Sequence, residues 1–173
     1  MSNHMNIKLL LIAFAVVLSP YNSAQAAQKF TRSQAYGDWV LNCSKNNNPK
    51  VKVTEKCVLQ QKLLAQNGQT LVVIRILKID NRAEKLAMFA LPLGLNIPEG
   101  AKITIDKGNP RRLLITHCIK GGCMAQISLD KRLSRELSKG KKMKISVFTG
   151  DGRKKMEFPS SLKGLTSGLK ATK

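Results

Sequence analysis

Short apolar runs separated by turn residues fill the chain from residue 36 to residue 130. Helical periodicity is almost absent there, so the pattern favours β-strands. Turn signals such as Asn67-Gly68 separate the runs. One run, residues 69–79, is apolar on both faces, and we expect it to be central and covered on both sides. The nine predicted strands span residues 36–43, 56–65, 69–79, 85–91, 101–106, 112–118, 124–129, 143–149 and 154–158.

Two segments depart from this pattern. Leu129, Leu133 and Leu137 are spaced four residues apart, which predicts one short helix near residues 130–139, and Gly140 is expected to end it in the left-handed conformation. Residues 160–173 are expected to be weakly helical or frayed, and their two glycines favour fraying. Nine strands and one brief helix predict an all-β fold with two sheets packed face to face, a β-sandwich. Without an internal repeat or a low-complexity linker, we expect a single domain over residues 27–173.

The first 26 residues have the pattern of an export signal. They start polar with one cation, Lys8, continue with an apolar run, and end with small residues before Ala27. We expect a signal peptide over residues 1–26, and no later run reaches the ~20 apolar residues needed to span a bilayer. The sequence therefore predicts a protein exported to the periplasm or the cell envelope, or exposed or secreted beyond it.

Basic residues far outnumber acidic ones. After removal of the signal, 29 basic residues face 10 acidic ones, and 13 of the basic residues but only 3 of the acidic ones lie in residues 131–173. Such an excess attracts polyanions, or alternatively forms a solvated surface that keeps the protein soluble. Outside the cytosol no nucleic acid is expected, so the partner would be a glycan, a lipid headgroup or an acidic protein of a host surface or the envelope. The candidate anion-binding residues, expected to lie close together, are Lys139, Lys141, Lys142, Lys144, Arg153, Lys154 and Lys155.

Four cysteines, an even number in an oxidising compartment, predict two disulfides. Four cysteines allow three connectivities, and geometry favours one of them. Gly121-Gly122 lets the chain reverse between Cys118 and Cys123, so their sulfurs should be neighbours. This pairing leaves Cys43 to join Cys57.

The chemistry-bearing residues favour neither a metal site nor an enzyme. His117 and Cys118 are adjacent in a predicted strand, so their side chains leave opposite faces and cannot easily share an ion. Thioredoxin-type centres place two residues between their cysteines, whereas four separate Cys118 from Cys123. Nucleophile elbows, phosphate loops and zinc-binding histidine pairs are missing from the sequence. We therefore expect no catalytic residue, no metal and no cofactor, with a thiol-disulfide enzyme at the 118–123 pair as a lesser hypothesis.

Trp39 allows two interpretations. Beside Tyr36, it could stack on a sugar, or it could be the buried anchor of the sandwich. Tryptophan is highly buried on average, which favours the anchor.

Four blocks in order resemble the invasion-associated locus B family of bacterial envelope proteins. They cover about 120 residues behind the export signal. The resemblance implies an immunoglobulin-like β-sandwich, the two local disulfides, and an exported virulence factor associated with entry into red blood cells, without known catalytic residues. The blocks are Gly37-Asp38-Trp39-Val40 with Cys43, Cys57-Val58-Leu59-Gln60-Gln61, Leu91-Pro92-Leu93-Gly94-Leu95 with Pro98-Glu99-Gly100, and Cys118 with Gly122-Cys123-Met124-Ala125.

Two functions are therefore expected as alternatives. The first is a non-enzymatic exported protein that promotes invasion of host cells, erythrocytes, through a basic surface that binds an anionic partner. The second is a periplasmic accessory protein that binds an envelope component and affects invasion only indirectly.

Overall fold

Ten strands and two short helices build the part of the chain that the structure, a computed structural model, describes: residues 30–45 and 55–172. The predicted signal peptide, residues 1–26, lies outside the described residues. The elements in chain order are β1 (Arg32–Tyr36), β2 (Trp39–Lys45), β3 (Glu55–Leu64), β4 (Thr70–Lys78), β5 (Lys85–Leu91), β6 (Ala101–Ile105), β7 (Arg111–Ile119), β8 (Gly122–Leu129), α1 (Lys131–Lys139), β9 (Lys142–Phe148), β10 (Lys155–Ser161) and α2 (Leu165–Ala171).

All ten strands belong to one antiparallel sheet in the order β1-β2-β3-β4-β5-β8-β7-β6-β9-β10. Strand β7 joins the two parts of this sheet: its first half pairs with β6 and its second half with β8, with a register shift between Ile115 and His117. A bulge of this kind bends a strand. The prediction of a mainly β protein is confirmed, whereas the immunoglobulin-like sandwich stays a prediction because the strands form one curled sheet.

The concave side of the curled sheet holds the hydrophobic core. Trp39, Phe89 and Ile145 are almost completely buried there, which confirms Trp39 as a buried anchor. Its indole Nε1 donates a hydrogen bond to the carbonyl oxygen of Ser161, 2.9 Å away. Gln61, also buried, donates to the same carbonyl at 3.1 Å. These two bonds hold the β10 end of the sheet against β2 and β3.

Predicted and observed strands agree to within three residues at their ends, with three corrections. Strand β1 was missed because its sequence, RSQAY, contains too few apolar residues to show a pattern. The segment predicted as one strand from residue 36 is divided by the turn at Gly37, which has a φ of 56°: Tyr36 ends β1, and β2 begins at Trp39. Strand β4 was expected to be covered on both sides, but only one side is fully buried, and Arg75 on the other side is exposed.

The predicted helix is present as α1. It begins after Asp130, whose carboxylate accepts a hydrogen bond from the Leu133 backbone nitrogen at 2.6 Å, an N-cap. Leu133 and Leu137 are buried as the spacing predicts. Gly140 does not adopt the expected left-handed conformation; its φ of −73° and ψ of 160° are extended, because β9 starts only two residues later. Neither α1 nor α2 is long and apolar enough to cross a membrane.

Candidate anion-binding surface

Both disulfides join cysteines that lie directly opposite each other on neighbouring antiparallel strands. Cys43 on β2 is bonded to Cys57 on β3, and Cys118 on β7 is bonded to Cys123 on β8. These are the pairings preferred from the sequence. The Cα–Cα distances are 4.0 Å and 3.9 Å, so each bridge links two strands that are already paired.

One group in residues 30–45 and 55–172 has the spacing of a metal site: Cys43, Glu55 and Cys57. Both of its sulfurs are bonded to each other in the structure. A metal requires the thiolate form, so the oxidised group offers only the Glu55 carboxylate. His117, the other candidate ligand considered from the sequence, is exposed and lies against the Thr116 hydroxyl at 3.0 Å.

The seven candidate lysines and arginines are spread along the β9–β10 hairpin and its flanks instead of forming one cluster. In the hairpin register Lys155 lies opposite Phe148, at the far end of β9 from Lys142. Six residues of strand place these two lysines about 20 Å apart. Lys139 lies beyond the start of the hairpin, in a separate depression beside Glu136. Chain adjacency therefore brings only some of the seven close together, and their role in anion binding stays a prediction.

Lys144 and Lys155 are the two candidates that do converge, because both reach the same carboxylate. The Nζ atoms of Lys155 and Lys144 lie 2.7 Å and 3.1 Å from the oxygens of Glu157. Hydrogen bonds from these two lysines hold the pKa of the Glu157 carboxyl below its usual range. One of the remaining candidates, Arg153, lies near Asp151, with 3.9 Å between Nε and Oδ2.

Strand register adds two cations that lie far from the other candidates in the sequence. Lys102 on β6 and Arg112 on β7 are direct cross-strand partners on the outward side of the sheet. Lys102 lines a depression of about 400 Å³ together with Lys144 and Lys155. The Arg112 guanidinium donates to the carbonyl oxygen of Pro98 at 2.9 Å and has no carboxylate partner among the described residues.

These residues define the basic strand face, the outward side of β7, β6, β9 and β10. Like charges that face each other across strands repel, and here only one carboxylate offsets them, since Glu157 is the only acidic residue in these four strands. An anion bound on this face would relieve the repulsion. The cations of the basic strand face are Lys102, Arg112, Lys142, Lys144 and Lys155.

A signal for Lys102 and Arg112 was present in the sequence. Each is a polar residue of a predicted strand beside a buried apolar residue: Lys102 lies between Ala101 and Ile103, and Arg112 precedes Leu113. The alternation placed both cations on the outward side. What sequence alone did not supply was the pairing of β6 with both β7 and β9.

A likeness to a solved protein supports the class of fold. The crystal structure of invasion associated protein B from Bartonella henselae superposes with a TM-score of 0.71, covering 82% of this chain and 95% of that one. The sequence identity is 18%, so this likeness shows a shared fold.

Sequence comparisons identify the family. The family model described as Invasion associated locus B (IalB) protein matches residues 39–173. An invasion protein B homolog of Brucella abortus (strain 2308) is 25% identical over 153 residues, which are 88% of this chain and 85% of the homolog. A homolog of Brucella abortus biovar 1 (strain 9-941) matches with the same figures. The chain belongs to the invasion-associated locus B family, and its two disulfides and this family together indicate an exported protein.

Proposed function

We propose that this protein promotes invasion of host cells, erythrocytes among them, by binding an anionic partner on the basic strand face. The observation that carries the proposal is the register of β7, β6, β9 and β10, which gathers five cations and one carboxylate on a single outward surface. Family membership supports the link to invasion. No residue on this face is assigned a catalytic role.

The shape of the basic strand face suits an extended anion. Lys102 on β6 lies directly opposite Arg112 on β7, and Lys144 on β9 lies directly opposite Thr104 on β6. Each cation is partly or largely exposed, so its interaction with a bound anion is screened by salt. An acidic glycan or a layer of lipid headgroups presents repeated negative charges that match such a row.

Binding to a heparin-like polyanion and to red-cell membranes tests this proposal. The double variant Lys102→Glu/Arg112→Glu should weaken both by about tenfold or more at low ionic strength, because attraction becomes repulsion at two contacts. Wild-type affinity should also fall steeply with salt.

A matched control variant separates the effect of the basic strand face on binding from the effect of the overall charge. Lys62→Glu/Arg75→Glu makes the same charge change at two exposed strand positions on the other part of the sheet, β3 and β4. It should weaken binding much less. An equal loss in both double variants would show that only net charge matters and would overturn the assignment of the face.

An experiment with intact bacteria decides between direct contact with the host cell and the alternative function as a periplasmic accessory protein. If the proposal holds, protease treatment of intact bacteria degrades the protein, and the Lys102→Glu/Arg112→Glu variant fails to restore invasion to a deletion strain. Full protection from protease with normal invasion by that variant would replace the proposal with an accessory role inside the envelope.

A further inference from the structure

A groove separate from the basic strand face runs between the two helices. Helix α1 contributes one side, with residues at spacings of three and four that share one face of the helix. Helix α2 contributes the other side, the β4–β5 turn closes one end, and Leu129 of β8 forms part of the floor. The accessible volume is about 790 Å³. This helix groove is lined by Ala83, Glu84, Lys85, Leu129, Lys131, Ser134, Arg135, Ser138, Thr166, Leu169 and Lys170.

Within the described part of the chain, the cations of the helix groove have no carboxylate partner. All ten acidic side chains of the chain lie in residues 30–45 and 55–172, and none of the seven ion pairs found there involves Lys85, Lys131, Arg135 or Lys170. One acid, Glu84, is in the lining. Four cations against one carboxylate leave the groove with a net charge of +3.

A second observation comes from the inner end of the groove. Lys85, at the start of β5, lies directly opposite Lys78 on β4, on the side of the sheet that carries the core. Like charges opposed across two strands repel. Desolvation by burial, followed by the charge of Lys78, lowers the pKa of the Lys85 ammonium. A bound anion would offset both effects.

The floor of the helix groove is apolar. Leu129 is 5% exposed, and Leu169 packs against the core cluster while still lining the groove. Small-molecule sites typically have volumes of about 300–1,000 Å³, which this groove matches. A groove with an apolar floor and a cationic rim differs from a site for a bare anion, because burial of a hydrocarbon chain on the floor is also favourable.

We propose that the helix groove binds an anionic amphiphile, a single acyl chain with a phosphate or carboxylate head. The head lies among the four groove cations, and the chain lies along Leu129 and Leu169. The site shares no residue with the basic strand face, so the two proposals stand or fall separately.

Three soluble probes test the ligand class. In an NMR titration of the disulfide-bonded protein, dodecyl phosphate below its micellar concentration should shift resonances of α1 and α2 and bind about tenfold or more tightly than its two comparators. Dodecyl maltoside keeps the chain but has no charge, and inorganic phosphate keeps the head but has no chain. Equal affinity for either comparator, or shifts confined to β6, β9 and β10, would overturn the proposal.

Two exposed positions on α1 give matched variants. Arg135→Glu reverses a charge inside the helix groove, whereas Lys139→Glu makes the same change on the same helix outside the groove lining. Arg135→Glu should weaken dodecyl phosphate about tenfold, and Lys139→Glu should weaken it about twofold or less. Equal losses would contradict the site. Lys102→Glu/Arg112→Glu should leave dodecyl phosphate binding unchanged, whether or not this double variant loses heparin binding. The two proposals therefore remain distinguishable.

Discussion

The basic strand face and the helix groove are both rich in cations, yet they differ in how those cations are neutralised. On the strand face, Lys144 and Lys155 share the Glu157 carboxylate. In the groove, Arg135 and Lys170 have no acidic partner among the described residues. Net charge alone therefore does not locate an anion site in a protein this basic. The arrangement of the few carboxylates and the shape of the surface decide what each region can bind.

Backbone geometry explains the difference in shape. A strand points alternate side chains outward about 7 Å apart, so cations on a sheet form a broad and nearly flat array. A helix brings residues three and four apart to one side, and the groove between α1 and α2 is lined by such residues. The flat array suits a long polyanion with weak, salt-sensitive contacts. The concave groove suits a compact ligand with an apolar part.

The largest expected effect comes from removing one wall of the groove at Gly164. This residue precedes α2 with a φ of 85°, and an added Cβ would overlap the Tyr36 carbonyl oxygen and the Gly37 nitrogen. Gly164→Ala should lower the free energy of unfolding by about 3 kcal/mol or more, measured by denaturant titration. Because α2 supplies Thr166 and Leu169, dodecyl phosphate binding should fall while polyanion binding by the folded fraction stays near wild type.

A glycine in open space provides the control for this change. Gly68 has a similar φ of 80°, but an added Cβ would meet no atom within 4 Å. Gly68→Ala should therefore cost only the strain of the left-handed conformation, about 1 kcal/mol, without an effect on either ligand. If the two variants were equally destabilised, the close approach of Gly164 to the β1–β2 turn would not matter for α2.

A medium effect is expected where α1 is tied to the sheet. The Arg111 guanidinium makes two bonds to Glu136, 2.7 Å from Oε1 and 3.1 Å from Oε2. The hydrogen bond to Glu136 raises the pKa of Arg111, and the bond from Arg111 is the main cause that lowers the pKa of Glu136. Arg111→Gln should destabilise the protein by about 1 kcal/mol and weaken groove binding severalfold by loosening α1.

Arg132 offers the control, because it bonds to the same carboxylate from within α1 at 3.1 Å. Arg132→Gln should cost only a few tenths, roughly 0.3 kcal/mol, and leave the groove intact. The stabilisation from Glu136, a glutamate with a lowered pKa, is present above the unfolded-state pKa and is lost as the pH falls through the lowered value. Acid titration of stability should therefore be shallower in Arg111→Gln than in wild type.

Elements of this fold could be predicted from sequence where the signal was local. The alternation around Ile103 and the leucine spacing in α1 both act within a few residues, and both predictions agree with the structure. The order of strands could not be derived in this way. Ala101 pairs with Val147, a contact between distant parts of the chain that no local pattern specifies.

The site was predicted less completely for the same reason. The charge excess was visible in the composition, but whether a given cation is neutralised depends on the register. Lys155 is a candidate from its neighbours in sequence, and only the β9–β10 pairing shows that it shares Glu157 with Lys144. The groove was missed because its cations come from α1, α2 and β5, which the fold brings together.

The smallest expected effect is a gain of binding on the basic strand face. Glu157→Gln removes the charge that both Lys144 and Lys155 contact but keeps the shape of the side chain. Affinity for a heparin-like polyanion should rise only about two- to fourfold at low salt, because exposed ion pairs of this kind are weak and screened by solvent. Binding of dodecyl phosphate should not change.

The acidic residue of the helix groove completes this test. Glu84→Gln removes the one carboxylate of the groove lining and should raise dodecyl phosphate affinity by a similar factor without changing polyanion binding.

Acidification should reproduce the effect of Glu157→Gln, because protonation of Glu157 frees the two lysines. Since Lys155 and Lys144 lower the pKa of this carboxyl, the gain should appear only below the usual titration range of glutamate, and it should be absent in the variant. A gain of polyanion binding in Glu84→Gln, with none in Glu157→Gln, would reverse the assignment of the two surfaces.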